Sequence, residues 1–214
     1  MKTMVIFGGS GGIGKILSNI FSEKYKVISL SSKDVDVTSI KEVENFFEQN
    51  DVNYVLNLSV LNKDIFVHKY GSTNESDLKT QIDVNILGTV NVASASLKLF
   101  RKKQAGELIM FSSILSDKPL MATSIYSSSK SFIETFTKTC AIENASKNIK
   151  VNCIQLGYFD VGLFEDVSES VKQKVLSNIP FQKWGNVRDI ASCIEMIINN
   201  NYITGQTIKI NGGL

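Results

Sequence analysis

Tyr126, with Lys130 four residues later and Ser113 thirteen residues earlier, forms the set of side chains in this sequence best suited to moving a proton. A free phenol titrates near pH ~10 and is a poor acid or base at neutrality. Residues four apart on a helix share a face, so the Lys130 ammonium would stand beside the phenol. Its charge favours the phenolate and is expected to lower the tyrosine pKa. That change makes the phenol competent as a general acid or base. A hydroxyl such as Ser113 would hold a substrate oxygen next to it. With the glycine cluster from Gly8 to Gly14, the pattern points to redox chemistry.

The elements that must position these groups are legible as apolar runs alternating with amphipathic stretches. Strands are expected at Thr3–Phe7, Lys26–Leu30, Val52–Leu58, Glu107–Ser112, Ile149–Gln155 and Gln206–Ile210. Helices are expected at Gly12–Lys24, Ser39–Gln49, Asn74–Phe100, Ser124–Lys147 and Asn186–Asn199. The alternation implies an α/β fold, a doubly wound Rossmann-type parallel sheet of six strands in a single domain spanning 1–214. Only Ser31–Val35 separate the second strand from Asp36-Val37-Thr38, too few for a parallel crossover. The crossover helix expected there is missing, and Asp36-Val37 is at best a stub of strand. Ser39-x-x-Glu42 has capping-box form, and the Ser-Thr-Asn-Glu cluster before the third helix suits an N-cap.

The glycine cluster joins the first strand to the first helix. Glycines there allow a tight turn and let backbone N–H groups reach a diphosphate at the positive end of the helix. Two registers fit equally: Gly9-x-Gly11-x-x-Gly14 and Gly8-x-x-x-Gly12-x-Gly14. No Gly-Lys-Ser/Thr follows, which excludes a P-loop. The ribose-binding acid of an NAD site is expected near the end of the second strand, where this chain has Ser31-Ser32-Lys33. Two hydroxyls and a cation suit a 2′-phosphate, so NADP(H) is weakly preferred over NAD(H).

Bulk properties set limits. The chain has 214 residues, 43% hydrophobic and 21% charged, with a net charge of +2. Nothing in that balance points to a nucleic-acid or membrane surface. Arg101-Lys102-Lys103 reads as a solvated helix end. Cys140, Cys153 and Cys193 are odd in number, far apart and flanked by apolar residues, as core fillers are; with the isolated His68 they suggest no metal site. The apolar N-terminal run ends at glycines and does not resemble a signal peptide, so a cytoplasmic setting is expected.

Taken together with Asn85, these motifs resemble the short-chain dehydrogenase/reductase family over essentially the whole length. Asp36-Val37, Asp83-Val84-Asn85, Phe111-Ser112-Ser113 and the tail Ile203-Thr204-Gly205-Gln206-Thr207 with Asn211-Gly212-Gly213 carry the likeness. The resemblance implies that Tyr126 is the general acid in reduction and the base in oxidation. Lys130 would bond the nicotinamide ribose, Ser113 would orient the substrate carbonyl, and Asn85 would hold a relay water. It further implies that the cofactor is held by Gly8, Ser10, Gly11, Gly12, Ile13 and Gly14. Beyond the second strand Ser31, Ser32, Lys33, Asp36 and Val37 would contribute, followed by Asn57, Leu58 and Ser59. Tyr126, Lys130, Gly157 and Phe159 would complete the site.

Departures from the family pattern are local. Val60 stands where a glycine is usual, Leu156-Gly157 replaces Pro-Gly, and Val161 replaces a threonine that bonds the carboxamide. A weaker hold on the cofactor is expected, and a nucleotide-binding regulatory or interaction protein with lost catalysis is the second reading. The stretch from Gly157 to Gly185 should cover the site. In it Phe159, Leu163, Phe164 and Trp184 line an apolar pocket or simply pack the lid, among Asp160, Glu165, Asp166 and Glu169. The substrate is a carbonyl or secondary alcohol. The resemblance also suggests a homodimer or homotetramer joined through the two long helices.

Overall fold

The computed structural model describes residues 1–162 and 168–214. Six parallel strands form one sheet: β1 (Thr3–Phe7), β2 (Lys26–Leu30), β3 (Tyr54–Asn57), β4 (Gly106–Ser113), β5 (Ile149–Leu156) and β6 (Thr207–Ile210). Their spatial order is β2-β1-β3-β4-β5-β6. The helices are α1 (Gly12–Phe21), α2 (Ile40–Gln49), α3 (Glu75–Ile82), α4 (Gly88–Lys103), α5 (Ser124–Asn144), α6 (Glu169–Asn178) and α7 (Val187–Asn199). This is the expected doubly wound Rossmann-type sheet. Residues 31–38 form turns with no helix, and α2 alone carries the chain from β2 across to β3.

The strands are apolar on both faces, as parallel strands covered by helices must be. Val5, Phe7, Val55, Leu108, Met110, Val151 and Cys153 face α2, α4 and α5 in one core. Their neighbours Met4, Ile6, Leu56, Ile109, Phe111, Ile154 and Leu156 face α1 and α7 in the other. The strand order reverses between β1 and β3, and ligands of open α/β sheets bind beyond the strand ends at that point.

Four local features differ from expectation. The helix expected over 74–100 is interrupted by a π-helical turn at Asp83–Leu87, where the Gly88 N–H bonds to the Asp83 carbonyl. One extra residue in a turn leaves no trace in an apolar period. Helix α6 was not anticipated, and none of its side chains is buried, so it has no stripe to read. Ser39 Oγ does accept from the Glu42 N–H, at 3.4 Å, but the Glu42 carboxylate takes the Asp36 N–H at 2.9 Å instead of returning to Ser39. Asn74 leaves α3 without a side-chain cap, because its Oδ1 is taken by the Gly71 N–H.

Cys140 and Cys153 are buried and Cys193 half-buried, all as free thiols, and burial pushes them up to about 11, about 12 and about 11. Arg101 and Lys103 are tied to neighbouring acceptors at the end of α4, Arg101 to Asn144 at 2.9 Å and Lys103 to the Val52 carbonyl at 2.7 Å. Among the described residues no helix is long and apolar enough to cross a membrane.

Candidate active site

The proton-transfer groups meet at the C-terminal end of β4. Ser113 is the last residue of that strand, and its Oγ accepts from the Leu115 N–H at 3.2 Å, which starts a short 3-10 turn. Tyr126 lies in the first turn of α5 and Lys130 one turn later, both buried. The expected shared face exists: the Lys130 ammonium lies 5.6 Å from the centre of the Tyr126 ring. The Ser113 hydroxyl is near enough to the Tyr126 phenol to favour its ionised form. The sequence motif therefore closes into a contiguous Ser113–Tyr126–Lys130 group.

Its electrostatics differ from the expectation. Burial raises the Tyr126 pKa, and the Ser113 hydroxyl offsets this only in part. The nearby Lys130 ammonium does not outweigh that burial; the lysine is itself buried and points its Nζ at the Phe111 carbonyl, 2.9 Å away. Desolvation brings Lys130 down to about 8. Both groups keep their protons at neutral pH, so the site is charged as a proton donor.

Asn85 sits in the π-helical turn, and this is where the extra residue matters. Its Oδ1 accepts from the Leu61 N–H and its Nδ2 donates to the Leu61 carbonyl, both at 2.8 Å, with Ser129 Oγ at 3.4 Å. The side-chain amide thus clamps the chain beyond β3. Behind Ser113, Glu134 Oε1 accepts from Ser112 Oγ and Ser116 Oγ at 2.6 Å each and from Gln155 Nε2 at 3.1 Å. Glu134 lies four residues beyond Lys130, so the same helical spacing that singled out the tyrosine would have found it.

The glycine loop crosses the point where the strand order reverses. Gly8 has φ +75°, and a Cβ there would lie 2.8 Å from the Leu58 carbonyl carbon. Gly11 caps α1, and no side chain caps that helix, so its leading N–H groups present an uncompensated positive end. Such an end suits a diphosphate, and Gly8, Ser10, Gly11, Ile13 and Gly14 lie in this turn and the first turn of α1. Gly12 has another constraint: a Cβ would lie 2.6 Å from Gly162 N, so the loop after β5 packs directly on it.

The other expected cofactor residues are distributed around the same rim. Asn57 ends β3 and its Oδ1 accepts from the Ser59 N–H at 3.2 Å, which turns the chain at Leu58. Val60 lacks the left-handed backbone that would require glycine. Beyond β2, Ser32 and Lys33 are exposed. Ser31 gives both its N–H and its hydroxyl to Asp34 Oδ2, at 2.8 and 2.6 Å, an acid the sequence reading passed over. Asp36 Oδ1 holds the Thr38 N–H at 2.9 Å, while Val37 is buried against α4.

After β5, Gly157 donates to the Ile210 carbonyl at 2.8 Å. The Phe159 ring is buried in the α1/α7 core against Gly185, so it serves packing. Val161 packs against the same core, which accounts for a branched apolar side chain there. Asp160 pairs with Lys172 of α6 at 2.8 Å. Trp184 lines a pocket of ≈ 430 Å³ with Tyr158, Phe181 and Lys183. Leu163, Phe164, Glu165 and Asp166 lie outside the described residues.

A family model described as enoyl-(acyl carrier protein) reductase matches residues 22–214. The chain belongs to the short-chain dehydrogenase/reductase family. It is an oxidoreductase of the class that acts on CH–OH and C=O groups with NAD(P). Similar proteins include a 3-oxoacyl-[acyl-carrier-protein] reductase of Bos taurus, 27% identical over 237 residues, covering 100% of this chain and 98% of the relative. Carbonyl reductase family member 4 of Xenopus laevis is 26% identical over 236 residues, with the same coverage of 100% and 98%. Among solved structures, a small-chain dehydrogenase in complex with NADPH is 26% identical with a TM-score of 0.87, over 99% of this chain and 97% of that one. ElxO with NADP bound matches the fold with a TM-score of 0.87 at 24% identity, over 99% and 98% of the chains.

Proposed function

We propose that this short-chain dehydrogenase/reductase reduces a carbonyl with Tyr126 as the general acid, using NADP(H) in preference to NAD(H). The observation that carries the reading is the Lys130 ammonium 5.6 Å from the centre of the Tyr126 ring, with the Ser113 hydroxyl acting on the same phenol. A substrate oxygen lying between the two hydroxyls would be polarised by Ser113 and would take its proton from Tyr126. Burial keeps that proton in place until the oxygen gains negative charge. Lys130, protonated below about 8, stabilises the phenolate left behind. Asn85 acts by fixing Leu61 and with it the chain beyond β3. The bound nicotinamide would supply the hydride at its C4 position. The glycine loop and the uncapped start of α1 would hold its diphosphate, with Asp36, Val37 and Asn57–Ser59 along the adenosine side and Gly157–Phe159 near the nicotinamide.

NADP(H) is favoured by the exposed Lys33 beside Ser31 and Ser32, and by the NADP and NADPH named in the two similar structures. The substrate class to try first is a 3-oxoacyl thioester, from the name of the bovine relative. The whole chain would act as one catalytic domain. Exposed Ile82, Leu87 and Ile142 on the long helices support a homodimer or homotetramer. The experiment is cofactor titration by nicotinamide fluorescence, then turnover of 3-oxoacyl thioesters and simple carbonyls with the tighter cofactor. Turnover that depends on Tyr126 supports the reading; tight NADPH binding without hydride transfer to any of them would favour a regulatory protein.

A further inference from the structure

Helix α5 begins at Ser124 with Thr123 as its N-cap, yet the Thr123 side chain makes no capping bond. Its Oγ1 is turned back to the Leu120 carbonyl at 2.7 Å and meets Ser127 Oγ at 2.9 Å. An N-cap side chain ordinarily accepts from the N–H two or three residues into the helix. In α5 the third residue is Tyr126. Its N–H is taken from elsewhere: Asp64 Oδ2 accepts it at 2.8 Å, across 62 residues of sequence. The other carboxylate oxygen is held by the Tyr70 hydroxyl and by Gln81 Nε2, both at 2.8 Å. Gln81 is buried and accepts from the Lys63 N–H, which fixes the loop on both sides of Asp64.

We infer that Asp64 is a positioning residue for the general acid, a cap supplied from the loop after β3 that fixes the first turn of α5 through the backbone of Tyr126 itself. The inference rests on the reading of Tyr126 as that acid. A carboxylate at a helix N-terminus is stabilised by the N–H groups and the helix dipole, so the bond strengthens where the helix would otherwise fray. The same loop is clamped at Leu61 by Asn85. The chain from Leu61 to Tyr70 therefore ties the π-turned helix α3–α4 to the catalytic helix. A displacement of the phenol by a fraction of an ångström spoils its line to a substrate oxygen without touching the cofactor.

The test compares Asp64→Ala, Asp64→Asn and Tyr70→Phe with the parent chain. The first readout is hydrogen exchange at the Tyr126 amide in protein labelled with 15N-tyrosine. It should quicken by ~10-fold or more in Asp64→Ala and by less in Asp64→Asn, which keeps a carbonyl acceptor for the Tyr126 N–H but turns an NH2 toward Gln81 Nε2. The second readout is kinetic. Asp64→Ala should lower kcat by about ten- to hundredfold at an unchanged NADPH Kd, and Asn should restore kcat to within about threefold. Should Asp64→Ala fail to fold, Tyr70→Phe, which removes one of the two donors to Asp64 Oδ1, is expected to lower kcat about two- to fivefold. An unchanged Tyr126 exchange rate in Asp64→Ala, failure of Asn to rescue, or an unchanged kcat in Tyr70→Phe would each overturn the inference. If the parent reduces no carbonyl, the reductase reading fails while the amide exchange still decides whether Asp64 is the cap.

Discussion

The two ends of the sheet each bury an ionisable group, and they handle the burial differently. At the C-terminal end of β4, Lys130 is desolvated, donates to the Phe111 carbonyl, and falls to about 8. At the N-terminal end of the same strand, Glu107 is 2% exposed and faces Lys150 at 3.0 Å. Lys150 and a bond from Asn152 draw the Glu107 pKa down, yet desolvation dominates and lifts it to about 7. One of its oxygens, Oε1, is buried without a hydrogen-bond partner, and the Lys150 Nζ is shared with the Ile197, Ile198 and Asn200 carbonyls at the end of α7. The lysine at the C-terminal end is placed against Tyr126, the proposed acid. The glutamate at the far end joins strands to a helix terminus and has no reacting partner. A strongly shifted pKa in this protein therefore marks burial first, and chemistry only where geometry adds an acceptor for the proton.

The sharpest way to break that contrast is to remove the acid from one end and leave the other intact. Tyr126→Phe is expected to reduce carbonyl turnover by roughly 10²- to 10⁴-fold while NADPH fluorescence titrations stay unchanged, since only the transferable proton is lost. Retained turnover would transfer the role to another group.

Next comes the far end. Because Glu107 titrates at about 7 when folded and near 4.5 when unfolded, the native state holds the extra proton between those values. Stability should therefore be higher at pH 4.5 and fall as pH rises through 7, by up to about 3 kcal/mol. Glu107→Gln should flatten this limb in urea unfolding measured from pH 4.5 to 8. A limb that persists in the variant would remove Glu107 as its cause.

Lys130 gives the opposite slope. Its folded pKa lies below the ordinary 10.5, so the unfolded chain binds the proton more tightly. The penalty is present below pH 8 and begins to be relieved above it, by about 1 kcal/mol between pH 8 and 9. Above pH 9 the buried thiols act in the other direction. Lys130→Met should abolish the pH 8 to 9 rise along with turnover, whereas loss of turnover alone would mean that the lysine is not desolvated.

The smallest effect is expected at the cofactor rim. Lys33→Ala should weaken NADPH binding about three- to tenfold and leave NADH unchanged, as removal of one exposed charge does. Equal weakening of both would detach Lys33 from the 2′-phosphate.

Much of this was legible without coordinates. The six strands appear where the apolar runs put them, no boundary moving by more than two residues, because buried parallel strands need continuous apolar sequence. Ser113, Tyr126 and Lys130 were found because a helix brings residues four apart together and a strand end can deliver a hydroxyl to the same spot. Other features left no such trace. Helix α6 buries none of its residues, and the π-helical turn adds one residue that no period records. The Tyr126 pKa was misjudged in direction, since spacing reveals a neighbouring charge but not the loss of water around both groups.

The sequence by itself determined the layered α/β fold, the glycine turn at the end of β1 and the grouping of Ser113, Tyr126 and Lys130. Those depend on local periodicity and on residue types within one or two elements. Only the tertiary structure decided that Asn85 clamps Leu61, that Asp34 occupies Ser31, and that Asp64 takes the Tyr126 N–H at the start of α5 from 62 residues away. Such contacts depend on where the folded backbone brings separate loops together, and on how much water is removed when they meet.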